Sequence, residues 1–125
     1  MSASSKGADR ERHLKKMLEA DGWVVVRCAG SKSAVDLWAM RRTPVAESRP
    51  MSSILTLAGT LSEAMAIQVK GNTGSPWMNF RREERAELGL IAAKAGASAW
   101  LVHWPPHGEC RWYAESEWPE ARVAA

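Results

Sequence analysis

Two segments with the apolar pattern of buried β-strands each carry one charged residue. Asp36 interrupts the segment Ala34–Ala39, and Lys70 closes the segment Ala66–Lys70. A carboxylate inside an apolar strand costs several kcal/mol unless it is paired or binds a metal. The fold must therefore supply a partner for each charge. At this point a buried Asp36–Lys70 ion pair without chemistry and a metal-binding site explain the pattern equally well.

The remaining pattern predicts one α/β domain over residues 1–125, with a central mixed sheet flanked by helices. An apolar stripe of Leu14, Met17 and Leu18 predicts a helix over 7–20, and Asn79 and Gly96 are expected to cap a second helix. A short helix is expected after residue 116. Strands are expected at 23–26, 34–40, 64–70, 98–104 and 110–114. Residues 1–6 are expected to be disordered, and 42–63 to form an insertion or long hairpin that includes a short strand at 53–57.

Composition excludes several classes of protein. No run of about 18 apolar residues exists to span a membrane, and the N-terminus has no apolar signal segment. Cys28 and Cys110 are too few for a disulfide framework, which predicts a reduced, cytoplasmic protein. Residues 1–49 carry ten Lys/Arg and six Asp/Glu, a net charge of +4, whereas residues 50–125 carry seven and eight, a net charge of −1. A basic half suits a polyanion, although a solvated surface would look the same.

The residues around the two charges favour a cation. Strand alternation puts Gln68 and Lys70 on one face, and the carbonyl of Val69 can face the same cavity from the strand end. Oxygen ligands from Asp36, Gln68 and Val69 suit Mg²⁺. Lys70 would then orient the attacking water or stabilise charge on a phosphate. Glu11, near the start of the first helix, is expected on the inward face.

These residues resemble a known superfamily. The order Asp…Gln-x-Lys is similar to that of PD-(D/E)XK nucleases, and the chain resembles the archaeal-type Holliday junction resolvases, which also occur in phages. Lys6-Gly7…Glu11-Arg12…Leu14…Leu18 resembles their first helix, Arg27…Ala29-Gly30-Ser31…Ser33…Asp36-Leu37 their glycine–serine loop and metal-binding Asp, and Ile67–Lys70 their Ile-Glu-Val-Lys segment. Val35 replaces the usual Pro, and Gln68 replaces the usual Glu, which removes one negative charge.

The resemblance implies a restriction-endonuclease-like fold and a Mg²⁺-dependent endonuclease in which Mn²⁺ can substitute. The implied substrate is a four-way DNA junction, cut by paired symmetric nicks, and the implied assembly is a homodimer. Seven tryptophans are more than a small core hides, which also favours an interface. The implied catalytic residues are Glu11, Ser31, Asp36, Gln68 and Lys70. The implied metal ligands are Glu11, Asp36, Gln68 and Val69. The implied DNA contacts are Lys6, Arg10, Arg12, Lys32, Arg81, Arg82 and Arg85.

Other interpretations stay open. The chain could be a PD-(D/E)XK nuclease with another DNA target, a non-catalytic DNA-binding relative, or an unrelated metabolic or interaction protein. A zinc site at His103, His107 and Cys110, with Cys28 as a fourth ligand, matches no known ligand spacing. Residues 30–33 lack the spacing of a phosphate loop. Trp77 could wedge against bases, but packing or a dimer contact explains it better.

Overall fold

Five strands form one mixed sheet whose spatial order follows the sequence. The structure is a computed structural model that describes residues 3–28, 33–42 and 62–124. The strands are β1 (Val24–Arg27), β2 (Leu37–Arg42), β3 (Ser62–Lys70), β4 (Ser98–His103) and β5 (Arg111–Ala114). The helices are α1 (Ala3–Ala20), α2 (Arg82–Ala95) and α3 (Pro119–Ala124), with a 3₁₀ turn at Glu115–Glu117. Neighbouring strands are antiparallel except β3 and β4, which are parallel and are connected through α2.

The two faces of the sheet bury different helices. On one face Leu14 and Leu18 of α1 pack with Val25, Leu37 and Ile67. On the other face the core includes Ala66 of β3, Leu88 and Ala92 of α2, Leu101 of β4, Phe80 and Trp118. Because β3 alternates between these faces, its even-numbered residues point toward α2. Gln68 and Lys70 therefore share the α2 side of the sheet, as their spacing predicts.

The start of α2 differs from the prediction, whereas its end agrees. Asn79 is not the cap, because the helix begins at Arg82 with Arg81 as its N-cap residue. Phe80 is fully buried between the two positions, so the chain first inserts this ring into the core and only then turns into the helix. Gly96 ends the helix with φ of 68°, a left-handed conformation that glycine adopts without steric cost.

Three further boundaries differ from expectation. β2 begins at Leu37, because Ala34 and Val35 are buried in the core without joining a strand. α1 begins at Ala3, one turn before the expected start, so residues 3–6 are helical. Met17 is 47% exposed and lies outside the buried stripe of α1. The expected insertion at 42–63 and the strand at 53–57 lie largely outside the described residues. Within the described part of the chain, no helix is long and apolar enough to cross a membrane.

Candidate active site

Asp36 is fixed where the ends of β1 and β3 meet the start of β2. Its backbone N–H donates to the Ile67 carbonyl at 2.8 Å, and its carbonyl accepts from the Cys28 N–H at 2.8 Å. Its side-chain Oδ2 accepts a 2.8 Å hydrogen bond from the backbone N–H of Val69. Backbone and side chain are thus both anchored on β3, which leaves Oδ1 as the carboxylate oxygen outside this contact.

The environment of Asp36 disfavours its negative charge. The pKa of Asp36 is raised to about 6, chiefly by burial and in addition by the negative charges of Glu11 and Glu84. The Val69 hydrogen bond and the positive charge of Lys70 act in the opposite direction but do not cancel the burial. A carboxylate held in such surroundings is stabilised by a cation close to it.

Gln68 carries a second oxygen that could face a cation. Its side chain is only 7% exposed, and its Oε1 is buried without a hydrogen-bond partner among the described residues. The Val69 carbonyl could offer a third oxygen, because the N–H and C=O of one strand residue point to the same side and the Val69 N–H points toward Asp36. Carboxylate, amide and carbonyl oxygens form the hard donor set that Mg²⁺ prefers, so these residues fit a divalent cation.

Glu11 lies on the inward side of α1, as predicted. Its carboxylate pairs with Arg27 at the end of β1, with 2.9 Å between Oε1 and Nε, and its side chain is 17% exposed. Arg27 lies in the segment that resembles the family's glycine–serine loop, but the sequence predicts no role for it. The structure shows that Arg27 orients Glu11 beside the first strand, close enough for Glu11 to raise the pKa of Asp36.

Lys70 does not form the salt bridge with Asp36 that a purely structural ion pair would require. Within the described residues its Nζ pairs with Oε2 of Glu84 at 3.2 Å, and the Lys70 side chain is 21% exposed. Glu84 lies in the first turn of α2, and the sequence pattern does not predict that it contacts Lys70. A carboxylate there is ordinarily explained by the helix dipole, and only the topology brings α2 over the end of β3.

The arginines predicted to contact DNA divide into two groups. Arg81 and Arg82 are exposed at the start of α2, and Arg12 is exposed with a loose 3.4 Å contact to Asp9. The guanidinium of Arg10 lies over Gly71, directly after Lys70, so that a Cβ placed on Gly71 would come closer than 3.0 Å to it. Arg10 thus lies beside the residue that follows Lys70, and Arg81 and Arg82 lie at the start of the helix that carries Glu84.

Arg85 is used inside the fold instead. Its guanidinium binds Glu120 with 2.6 Å between Nη2 and Oε1, it also donates to the Phe80 carbonyl, and its side chain is 11% exposed. Arg85 therefore joins α3 to α2, and a phosphate contact at this residue would compete with both acceptors. Ser31, Lys32 and the side chain of Lys6 lie outside the described residues.

The zinc and base-wedge interpretations gain no support from the structure. Among the described residues no group of three or more His, Cys, Asp or Glu side chains is placed to hold a metal ion. His103 is buried with its Nε2 2.8 Å from the Asn72 carbonyl. Trp77 packs edge-on against Tyr113, with 5.2 Å between ring centroids. His103 and Trp77 are thus accounted for by packing and local hydrogen bonding.

The fold and the site together define a class of protein. A buried acidic residue, an amide oxygen and a lysine at adjoining strand ends, flanked by arginines, are the elements of a metal-assisted nuclease acting on a phosphodiester. The family model described as archaeal Holliday junction resolvase (Hjc) matches residues 2–118, and the chain belongs to this family. It is accordingly a DNA endonuclease of the Holliday junction resolvase class, and the family implies a divalent metal cofactor.

A solved structure agrees with this assignment at the level of the fold. The chain is similar to Archaeoglobus fulgidus Hjc, a Holliday junction resolvase from an archaeal hyperthermophile, with a TM-score of 0.59 and 22% sequence identity. The match covers 89% of this chain and 74% of that chain. No curated protein matches the chain significantly. The α/β fold with a mixed sheet that the sequence predicted is confirmed.

Proposed function

We propose that this chain resolves four-way DNA junctions by paired symmetric nicks, with Mg²⁺ held by Asp36, Gln68 and the Val69 carbonyl. The observation that carries the proposal is the buried, unpartnered Oε1 of Gln68 next to the hydrogen bond between Asp36 and Val69. A buried amide oxygen without a partner is costly, and a cation at this position would satisfy it. Mn²⁺ has similar ligand preferences and should substitute.

The residues around the proposed cation have different roles. Asp36 is the charged ligand, and Val69 holds its carboxylate in one orientation through the 2.8 Å hydrogen bond. Glu11, oriented by Arg27, adds negative charge to the same end of the sheet. A divalent cation held by these residues would supply Lewis-acid polarisation of the phosphodiester and would make water easier to deprotonate. Lys70 positions the attacking water or stabilises charge on the phosphate.

The proposed DNA face is built from arginines around this site. We assign Arg12, Arg81 and Arg82 to it because they are exposed, Arg10 because it lies beside Gly71, and Lys6 and Lys32 on the basis of the sequence. Ser31, five residues before Asp36 in the sequence, remains a predicted contact near the scissile phosphate. A contact surface made of several guanidinium groups and phosphates should lose affinity steeply as salt is added.

A homodimer is the second half of the proposal. One chain with one Asp36/Lys70 site makes one nick at a time, whereas a C₂ dimer supplies two equivalent sites that match the symmetry of a junction. Six of the seven tryptophans are only partly buried in the single chain. Val24, Val26 and Met40 are exposed on one side of β1 and β2. Such half-covered aromatic and apolar surface is typical of interfaces. Cys28 and Cys110 are free, which suits a reducing cytoplasm.

The proposal is tested by incubating the purified protein with a labelled four-way junction and with a linear duplex of the same sequence, with and without Mg²⁺. We expect cutting of the junction only when the cation is present. Equal cutting of the duplex would favour a nuclease with another target. Junction binding without cutting at any Mg²⁺ concentration would identify a non-catalytic relative. Sedimentation at micromolar concentration tests the dimer, since a monomer would contradict paired nicking.

A further inference from the structure

The ionised side chains around Asp36 form two ion pairs. Glu11 is neutralised by Arg27 at 2.9 Å, and Lys70 is neutralised by Glu84 at 3.2 Å. Without Glu84, the two positive charges of Arg27 and Lys70 would balance the negative charges of Asp36 and Glu11. With Glu84 these five side chains carry a net charge of −1, which favours a divalent cation more than a net charge of zero would.

Gln68 gives an independent reason to look for a ligand on the same side of the sheet. More than nine-tenths of its side chain is buried, and its Oε1 has no hydrogen-bond partner among the described residues. Strand alternation directs Gln68 and Lys70 toward the α2 side, where Glu84 meets Lys70. Gln68 is a neutral donor, so it contributes an oxygen to a cation but no charge.

The carboxylate of Glu84 is held loosely enough to respond to a cation. Its Oε1 accepts from the Arg81 N–H at 3.5 Å, the outer limit of a hydrogen bond, and its Oε2 contacts Lys70 at 3.2 Å. The Glu84 side chain is 33% exposed, so it can change rotamer without disturbing the core. Its charge also acts on Asp36, whose pKa it helps to raise.

We propose that Glu84 belongs to the metal site and supplies, from α2, the carboxylate charge that the neutral Gln68 does not provide. This inference rests on the proposed function, because it assumes that a divalent cation binds beside Asp36. It extends that proposal by making metal affinity depend on a residue from a different element of the fold. The charge should therefore be transferable from α2 to β3 without loss of binding.

The test measures Mn²⁺ binding to the full chain without DNA, from the electron paramagnetic resonance signal of free Mn²⁺. Glu84→Gln should weaken the affinity by about tenfold or more, the size of effect seen for residues that support metal ligands. The double variant Gln68→Glu/Glu84→Gln should return to within about threefold of the original affinity, because the lost charge is restored nearby. Glu83→Gln, which removes an exposed carboxylate from the same helical turn, is the matched control and should change little.

The outcomes separate the two proposals. If the unmodified chain binds no Mn²⁺, the metal site and this inference both fail. If it binds Mn²⁺ and Glu84→Gln binds equally well, only the inference is overturned. A weakened Glu84→Gln that Gln68→Glu does not rescue also overturns it, because position and not charge would then matter. Glu84→Ala provides a second variant, and thermal melting of each variant verifies that it folds.

Discussion

Replacing Asp36 by Asn should stabilise the metal-free protein while destroying its activity. Burial raises the pKa of Asp36 from 3.8 to about 6. Well below pH 3.8 the residue is protonated whether the chain is folded or unfolded, so Asp and Asn should be equivalent there. As the pH rises through 6, the folded chain must hold an unfavourable charge and loses stability. The difference of roughly two pH units corresponds to about 3 kcal/mol at pH 8. Asn retains the oxygen that accepts from Val69.

The assay is thermal unfolding of both proteins in excess chelator from pH 4 to pH 8. At pH 8 the variant should melt on the order of 10 °C higher, and the gap should shrink toward zero at pH 4. Added Mg²⁺ should raise the melting temperature of the unmodified protein far more than that of the variant. Asp21→Asn, at a side chain 75% exposed, is the control and should change little at any pH. An Asp36→Asn variant that is no more stable than the unmodified protein at pH 8 would refute the reasoning.

The remaining predictions concern four other positions. Lys70→Ala should lose most of the cutting rate while binding the junction, and a near-normal rate in a single-turnover assay would remove Lys70 from the chemistry. Gln68→Glu should keep cutting and bind Mg²⁺ more tightly, because it adds a negative ligand. Gln68→Ala should cut poorly. A Gln68→Ala variant that cuts normally would show that Gln68 is not a ligand. Gly71→Ala should fold normally, because only the flexible end of Arg10 must move. The variant should bind the junction more weakly in a gel-shift titration. Unchanged affinity would mean that Arg10 contacts no phosphate. Arg85→Ala should lower the free energy of unfolding by about 1–3 kcal/mol in a denaturant titration, because it removes the bonds to Glu120 and Phe80. Cutting by the folded enzyme should be unchanged. A selective loss of junction affinity would show that Arg85 contacts DNA.

The parts of the site that could be predicted from sequence are those whose burial conflicts with their chemistry. Asp36 and Lys70 stand out because each interrupts an apolar segment, and the alternation of β3 correctly places Gln68 beside Lys70. The apolar context of Ala34 and Val35 correctly predicts that both residues are buried. It wrongly predicts that they belong to a strand, because residues can fill a core without joining the sheet.

Glu84 could not be found in this way, because its local pattern has an ordinary explanation. Two carboxylates in a first helical turn are favourable through the helix dipole alone. Only the parallel pairing of β3 and β4 requires α2 to cross the sheet and bring Glu84 to Lys70. The partner of Arg85 could not be predicted either. Arg85 lies in a basic run, which favours a DNA contact, whereas its partner Glu120 lies 35 residues away in sequence.

Joint action of two Asp36/Lys70 sites on one junction can be measured on a supercoiled plasmid that extrudes a cruciform. With Mg²⁺, linear plasmid should be the early product, because both strands are nicked within one complex. A preparation in which half of the subunits are Asp36→Asn should shift the product toward nicked circles. If the unmodified protein releases only nicked circles before any linear product, paired cutting by a dimer is contradicted, although the nuclease assignment would stand.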